Sequence, residues 1–307
     1  MWRTVIVNNG ERIKTEQNWL VVSSDEGESR VPIEDIYAVI IDNRNAVISM
    51  SAINALTSSG AQICFCDEKH IPVSVALPLG NHHRQLSVVR SQIGMSEEFK
   101  DVLWQKIVSA KIANQAKCLR FCSVNPEKVS SVEVLAGDVA PGDVKNREGT
   151  AARLYFRCLF GVGFRRSDED VTNAALNYGY AILRSCVAKT LTAYGYYGTI
   201  GIHHENASNP FNLADDMMEP LRPVIDMVTD RMCDDLFEHL SRDNRNRLVN
   251  VVNLPVKMNG RKTRIRYAID RCIASLTSAI TNNDADRLIL PELIMIDEFF
   301  EDDEDGE

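Results

Sequence analysis

The chain has 307 residues, a formal net charge of −9, eight cysteines and six histidines. A hydrophobic content of 45% with 25% charged residues is typical of a packed globular protein and excludes a chain that is disordered throughout. No apolar run approaches the ~18 residues that a transmembrane helix needs, and the beginning of the chain lacks a signal-peptide cleavage site. We therefore predict a cytoplasmic protein that does not enter a membrane.

The first quarter of the chain is predicted to be rich in β-strands. The hydrophobic pattern predicts strands at residues 2–7, 19–23, 36–42, 47–50, 63–66 and 71–77. A hairpin turn is expected at Asn8-Asn9-Gly10 and a polar turn at residues 24–29. One helix is expected at Ser51–Ser59, with Ser51 as its N-cap and Gly60 after its last turn. We assign residues 1–77 to a sandwich-like β-rich domain and residues 78–96 to a linker.

The composition changes at Glu97, where apolar residues begin to recur at helical spacing. Helices are predicted at residues 97–119, 131–135, 146–160, 170–194, 224–241 and 266–280. We therefore predict an α+β protein whose larger second domain, residues 97–290, is all-α. The cysteines lie mostly inside apolar runs, without zinc-binding spacing, so we interpret them as buried reduced thiols.

The negative charge is concentrated at the carboxyl end of the chain. After Arg287 there is no lysine or arginine, and nine carboxylates follow. Because these nine account for the whole net charge of −9, residues 1–287 are formally neutral. We assign residues 291–307 to an acidic tail, and its charge does not exclude a nucleic-acid partner for the rest of the chain.

Three segments place acids or histidines where they could take part in chemistry, and each has a structural alternative. Glu148 lies in a predicted first helical turn, where the helix dipole favours an acid in any case. His203 and His204 lie in a glycine-rich loop as candidate metal ligands or bases, or as ordinary loop histidines. Asp216 and Glu219 would share one helix face as metal-binding carboxylates, or form a capping box with Asp216 as N-cap.

The same segments contain blocks in a defined order, EGTAARLYF at residues 148–156, GIHH at residues 201–204 and DMMEPLRP at residues 216–223. They resemble the E-G-x-x-A-R-x-Y-F, G-x-x-H and D-L-M-E-x-x-R-P blocks of the CRISPR-associated integrases of spacer acquisition (CRISPR-associated protein one). The G-x-x-H block aligns its histidine with His204 rather than His203. Met217 stands where the D-L-M-E-x-x-R-P block has leucine. Residues 103–115 and the overall length resemble the form found in type II systems, and the resemblance extends over nearly the whole chain.

The resemblance implies a prokaryotic DNA integrase that also shows endonuclease activity. A 3′-hydroxyl of a short prespacer duplex would attack a phosphodiester at the repeat boundary of a CRISPR array. Glu148, His204 and Glu219 would bind one Mg²⁺ or Mn²⁺, and Asp216 would support the site. His204 could instead shuttle a proton. A metal-dependent, structure-specific nuclease without integrase activity and a non-catalytic DNA-binding scaffold are the alternative functions.

The resemblance also implies partners. The N-terminal domain would form a homodimer, and two such dimers would flank a dimer of CRISPR-associated protein two in a heterohexamer, with other type II adaptation proteins as further partners. Double-stranded DNA of the prespacer and of the CRISPR leader-repeat would bind to basic side chains of the helical domain through salt-sensitive phosphate contacts. The candidates are Lys106, Lys111, Lys117, Arg245, Arg247, Arg261, Lys262, Arg264 and Arg266.

Overall fold

The computed structural model describes residues 3–9, 12–25, 27–68, 70, 72–77 and 82–296. Its N-terminal domain consists of strands and one helix. These are β1 Arg3–Val7, β2 Arg12–Glu16, β3 Trp19–Ser24, β4 Gly27–Pro32, β5 Ile36–Ile41, β6 Val47–Ile48, α1 Met50–Ser58, β7 Gln62–Cys66 and β8 Pro72–Ala76. The strands form two four-stranded sheets with the orders β1-β5-β7-β8 and β4-β3-β2-β6.

The two sheets and α1 share one hydrophobic core. Ile13 and Leu20 come from one sheet, Val39 and Ile63 from the other, and Leu56 from α1, and all five side chains are buried. This arrangement confirms the predicted sandwich-like β-rich domain, because each sheet buries one face against the other layer.

The C-terminal part is mainly helical. Its elements are α2 Gln85–Ile93, α3 Glu97–Phe121, α4 Pro126–Ala136, α5 Arg147–Leu159, α6 Val171–Ala193, α7 Asn212–Met218, α8 Arg222–Arg231, α9 Arg242–Asn250, β9 Pro255–Met258, β10 Arg261–Arg264 and α10 Ile265–Asn282. The long helices α3 and α6 form the centre of this domain and bury residues on most of their faces. Helix α3 packs against α4, α5 and α8, and it thereby underlies the segments that carry the candidate site.

The predicted α+β class is confirmed, but two strands of the first domain are not predicted. In β2 only Ile13 is buried, between charged neighbours, and most residues of β4 are exposed. Neither strand shows the alternation of apolar and polar residues by which a half-buried strand is recognised. The turn predicted at residues 24–29 is shorter than expected, because β3 continues to Ser24 and β4 begins at Gly27 in antiparallel register with β3.

Helix α1 begins at a different serine from the one predicted. Its N-cap is Ser49, whose Oγ accepts a hydrogen bond from the backbone N–H of Ala52 at 3.2 Å. Ser49 and Ser51 both satisfy the sequence pattern of an N-cap, so the pattern does not distinguish them. Gly60 has a φ of +85°, as expected for the residue that follows a helix end.

The helical domain is not all-α, because it contains the hairpin of β9 and β10. Asn259 and Gly260 join these strands with φ values of +48° and +77°, the conformation that Asn-Gly favours in a two-residue hairpin turn.

The helix predicted at 224–241 ends at Arg231, where α8 stops. Asp234 and Asp235 follow, and acidic side chains are unfavourable at the C-terminal end of a helix dipole.

Two predicted segment boundaries lie inside ordered structure. Helix α2 occupies much of the segment 78–96 that was assigned to a linker. Beyond residue 290, Leu293 and Ile296 are buried in the helical core. The Asn114 side chain donates a hydrogen bond to Pro291 O and accepts one from Leu293 N–H, both at 2.9 Å. The chain therefore belongs to the helical domain to residue 296, and the acidic residues 297–307 lie outside the described residues.

A buried ion pair joins the two domains. Asp42, directly after β5, is 7% exposed, and its Oδ2 lies 3.0 Å from Nε of Arg245 on α9. Its Oδ1 lies 2.7 Å from Nδ1 of His70. Nearby, Lys189 of α6 donates a hydrogen bond to the carbonyl oxygen of Tyr37 at 2.9 Å. The N-terminal sheet is thus fixed to the helical domain by polar groups removed from water.

We expect Arg245→Met to lower the free energy of unfolding by about 3 kcal/mol, because it leaves Asp42 buried with its charge partly uncompensated. Arg247→Met is the matched control on α9, since Arg247 pairs with the more exposed Asp235 at 2.7 Å. An exposed pair contributes less than about 1 kcal/mol. Urea unfolding of both variants measures the difference, and equal losses would show that the Asp42 pair does not stabilise the domain contact.

Candidate active site

Glu148 is positioned by the beginning of helix α5. The N-cap is Asn146, with a φ of +48°, and its Oδ1 accepts from the backbone N–H of Gly149 at 3.0 Å. The carboxylate of Asp143 accepts from the N–H groups of Arg147 and Glu148 at 2.8 and 2.9 Å. A Cβ atom at residue 149 would lie 2.6 Å from Asn146 Oδ1, so this tight start requires the glycine that follows Glu148.

Asp216 fixes the loop that carries His204. The Asp216 side chain is fully buried, and its two oxygens accept from the backbone N–H groups of Ile202 (2.6 Å), His203 (3.2 Å) and His204 (3.1 Å). A Cβ atom at Gly201 would lie 2.8 Å from Asp216 Oδ2 and would also meet the His204 carbonyl oxygen. The capping-box interpretation of Asp216 was therefore wrong, because its carboxylate serves the distant loop and not the start of its own helix.

The same carboxylate orients the imidazole of His204. Nδ1 of His204 lies 2.7 Å from Asp216 Oδ1, and a carboxylate can only accept, so Nδ1 is the donor. This hydrogen bond raises the pKa of His204 above its ordinary value, and it outweighs the opposing effect of burial. The other ring nitrogen, Nε2, is then the one that can bind a metal ion or carry a proton.

Trp104 of α3 supports both histidines, and the sequence analysis missed it. Its buried indole stacks on the ring of His203 with centroids 4.2 Å apart and an interplanar angle of 2°. The ring of His204 meets the same indole edge-on, with centroids 5.7 Å apart. Trp104 thus supports the histidine loop by ordinary aromatic packing, in addition to the hydrogen bonds that Asp216 accepts.

Glu219 lies between two cationic side chains. It is 1% exposed, its Oε2 lies 2.5 Å from Nζ of Lys111, and its Oε1 accepts from Nη1 of Arg222 at 2.7 Å. Burial raises the pKa of Glu219, but Arg222 and Lys111 lower it further, and the pKa falls to about 2. Glu219 is therefore a carboxylate throughout the neutral pH range.

Lys111 also joins Glu219 to Glu148. Its Nζ donates to Glu148 Oε1 at 2.6 Å, so one ammonium group bridges carboxylates that are far apart in the sequence. The Lys111 side chain is 9% exposed, compared with 26% for Glu148 and 2% for Glu219. The cluster therefore opens to solvent at Glu148 and is closed at Glu219.

A buried network lies behind Arg222. Its guanidinium carbon lies 4.2 Å from the centre of the Tyr180 ring. The hydroxyl groups of Tyr180 and Tyr155 both donate to the carboxylate of Asp226, at 2.9 Å for Tyr155. Burial raises the pKa of Asp226 to about 6, against the opposing effect of these hydrogen bonds. Tyr155, the tyrosine of the first sequence block, is thus a buried core residue.

The structure brings the predicted site residues together in two pairs. Glu148 and Glu219 share Lys111, and His204 is bound to Asp216. Asp216 and Glu219 follow one another along α7 and the adjoining turn, and Glu219 contributes to raising the pKa of His204. Among the described residues no group of three histidine, cysteine, aspartate or glutamate side chains is arranged to hold a metal ion.

Comparison with known proteins decides the family. Residues 4–237 match the family described as CRISPR associated protein Cas1. The chain belongs to the Cas1 family. A relative named CRISPR-associated endonuclease Cas1, from Neisseria meningitidis, is 37% identical over 97% of this chain and 98% of its own length. The resemblance predicted from the three sequence blocks is therefore confirmed.

Solved structures show the same fold as this Cas1-family protein. A casposase bound to an integration product has a TM-score of 0.77 with 19% identity, covering 97% of this chain and 94% of its own. A Cas6-RT-Cas1–Cas2 complex has a TM-score of 0.74 with 18% identity, covering 96% of this chain and 36% of its own. Within the described ranges of this Cas1-family protein, none of the helices has the length and apolar composition needed to cross a membrane.

The basic residues predicted to bind DNA fall into three groups. Three have mostly buried side chains, which corrects their assignment: Lys111 bridges carboxylates, Arg245 joins the domains, and Arg266 donates to Asn253. Three are partly exposed and paired with acids, namely Lys106 with Asp286, Lys117 with Glu292 and Arg247 with Asp235. Three are exposed on β10, namely Arg261, Lys262 and Arg264. The sequence alone does not reveal which basic side chains form ion pairs or hydrogen bonds within the protein.

Proposed function

We propose that this Cas1-family protein is a metal-dependent DNA endonuclease and integrase of CRISPR spacer acquisition. It would join the 3′-hydroxyl ends of a short prespacer duplex to the boundary of a CRISPR repeat. The observation that carries the proposal is the pairing of the Glu148 and Glu219 carboxylates around one cationic group. The name of the 37% identical relative, an endonuclease, supports the same class of chemistry.

We propose that Glu148, His204 and Glu219 hold one Mg²⁺ or Mn²⁺. The donor chemistry of these residues suits such an ion, and the two carboxylates already share a cation in the form of the Lys111 ammonium. His204 fits as well, since a histidine ligand commonly donates its other ring N–H to a carboxylate, as His204 does to Asp216. When bound, the metal would act as a Lewis acid that stabilises negative charge developing on the phosphate.

The proposed reaction exchanges one phosphodiester for another. The 3′-oxygen of the prespacer would form a bond to the phosphorus at the repeat boundary, while the bond from that phosphorus to the 3′-oxygen of the adjoining nucleotide in the target strand breaks. The attacking hydroxyl loses its proton and the departing 3′-oxygen gains one, so atoms and charge balance without a nucleotide cofactor. Asp216 and Trp104 would hold His204 in one orientation throughout, either as a ligand through Nε2 or as the carrier of that proton.

We further propose that two copies of the chain form a homodimer through the N-terminal domain, and that two dimers assemble with a dimer of Cas2. The name of a structural neighbour places its own chain in a complex with Cas2. In this chain the N-terminal domain exposes apolar side chains such as Val47 (61%) and Met50 (68%), which a second subunit could cover.

The exposed basic residues of β10 are proposed to contact DNA phosphates. Changing Arg261, Lys262 and Arg264 together to alanine is expected to weaken DNA binding and to reduce the slope of log K against log salt by about 2 to 3. Fluorescence anisotropy over a range of NaCl concentrations measures both effects. Arg120→Ala is the control, because Arg120 is an exposed cation paired with Glu133 on another part of the domain. An unchanged salt slope in the triple variant would exclude β10 from the DNA-binding face.

The activity can be tested with a labelled short duplex, a supercoiled plasmid that carries a CRISPR array, and Mg²⁺ or Mn²⁺. The proposal predicts that the label becomes covalently joined to the plasmid. Cleavage of DNA without joined label would instead show the nuclease alternative. Binding of DNA without any covalent change, in the presence of Cas2, would show a non-catalytic scaffold.

A further inference from the structure

We infer that Lys111 occupies the metal position in the metal-free protein and that a divalent ion binds by displacing its ammonium group. This inference rests on the proposed function, because it takes Glu148 and Glu219 as metal ligands. It assigns to Lys111 the role of a positioning residue, which keeps the two carboxylates together until the metal arrives.

The contacts of Lys111 carry the inference. Its Nζ lies 2.6 Å from Glu148 Oε1 and 2.5 Å from Glu219 Oε2, so it uses one oxygen of each carboxylate. The second oxygen of Glu219 is bound by Arg222 at 2.7 Å. Each oxygen of Glu219 thus lies beside a cation, and the one beside Lys111 shares that ammonium with Glu148. A metal ion that bridges the two carboxylates would need the same position.

The charge balance leads to the same conclusion. Glu148 and Glu219 supply two negative charges, and Lys111 and Arg222 supply two positive charges, so the cluster is neutral without a metal. A divalent ion added beside the ammonium would place three cations around two carboxylates in a largely buried site. Like charges at such short range repel strongly where water is excluded. Movement of the ammonium away from the carboxylates removes this repulsion.

The structure provides a path for the displaced group. Lys111 lies on the long, well-packed helix α3, so its backbone is fixed, whereas its four-carbon side chain can turn about several bonds. The Glu148 side of the cluster is the more exposed side, at 26% against 2% for Glu219. The ammonium can therefore move toward solvent without disturbing the buried Glu219.

A direct test compares Mn²⁺ binding by the full-length wild-type protein and the Lys111→Met variant, using electron paramagnetic resonance to count free Mn²⁺. Methionine keeps much of the length and apolar stem of lysine but removes the competing charge, so we expect Lys111→Met to bind Mn²⁺ about tenfold more tightly or better. A purely structural role for Lys111 predicts the opposite, since a disturbed site would bind more weakly. Lys106→Met is the control on the same helix, because Lys106 pairs with Asp286 instead, and its Mn²⁺ affinity should be unchanged.

The outcomes separate this inference from the proposed function. Equal or weaker binding by Lys111→Met, with clear binding by the wild type, would overturn the displacement of Lys111 and leave the proposed function standing. Absence of Mn²⁺ binding in both proteins would overturn the metal site itself, and the inference with it. Tighter binding by Lys106→Met to the same extent would show a general charge effect and would also overturn the inference.

A second measurement uses only the wild-type protein and does not depend on how a variant folds. An amine-reactive acetylating reagent followed by mass spectrometry reports how accessible each lysine is. Without metal, Lys111 should react more slowly than Lys106, because its ammonium is buried between two carboxylates. Saturating Mn²⁺ should increase the labelling rate of Lys111 and leave that of Lys106 unchanged. Equal protection of Lys111 with and without Mn²⁺ would overturn the inference.

Discussion

Replacing Glu148 by alanine is expected to lower the rate of DNA joining by about 10³-fold or more, because it removes a ligand of the ion that stabilises the transition state. The protein should remain folded. The Glu148 side chain is partly exposed, and Lys111 keeps its contact with Glu219 in the variant. Single-turnover joining of a labelled duplex to a CRISPR plasmid measures the rate, and thermal unfolding measures the stability.

Glu127→Ala is the matched control for this variant. Glu127 also lies in the first turn of a helix, α4, where an acid interacts favourably with the helix dipole, but it is exposed and is not a member of the Glu148–Lys111–Glu219 cluster. The control should keep full joining activity. If Glu148→Ala joins DNA as fast as Glu127→Ala, Glu148 is only a helix-capping acid and the metal-site assignment is wrong.

Replacing Asp216 by alanine is expected to lower the free energy of unfolding by about 3 to 4 kcal/mol, since it leaves three backbone N–H donors, one of them buried, without their acceptor. The donors are the backbone groups of Ile202, His203 and His204. Urea unfolding measures the loss. Asp215→Ala is the neighbouring control, because Asp215 is less buried and accepts from the side chain of Asn209. Similar losses in both variants would contradict the central role of Asp216 in the loop.

Asp216→Asn is expected to lower the pKa of His204 toward its ordinary value, because the hydrogen bond to the carboxylate is the main cause of the raised pKa. A histidine with a raised pKa stabilises the folded state at pH values below its unfolded pKa, and this stabilisation is lost as pH rises through the folded pKa. The variant should lose that pH-dependent part of its stability. NMR titration of the imidazole gives the pKa, and an unchanged value would exclude the Asp216 hydrogen bond as its cause.

The site could be predicted only as far as it is local in sequence. Glu148, His204 and Glu219 lie within short sequence blocks, and the structure explains Gly149 and Gly201 in two of these blocks by the close approach of neighbouring atoms. The side chains of α3 that support the site could not be predicted from such local sequence blocks. Trp104 and Lys111 contact the site only through tertiary packing. The sequence does not show whether a lysine such as Lys111 is buried or exposed.

The helices and strands were predicted correctly where apolar residues recur at a regular spacing. Long helices such as α3 and α6 have many buried residues and were recognised, whereas β2 and β4 bury too few apolar side chains to show a period. The β9–β10 hairpin did carry a local signal in Asn259-Gly260, but its basic strand was interpreted only as a DNA-binding cluster. Burial, not sequence pattern, decides whether such charges face DNA or the protein interior.

The most direct test of the metal-dependent site is a crystal structure of the full-length protein soaked with Mn²⁺ and measured for anomalous scattering. We expect one anomalous peak in bonding contact with Glu148, His204 and Glu219, with the Lys111 ammonium moved away from both carboxylates. A saturating soak that leaves no Mn²⁺ at these residues, or that places it elsewhere in the molecule, would contradict the account.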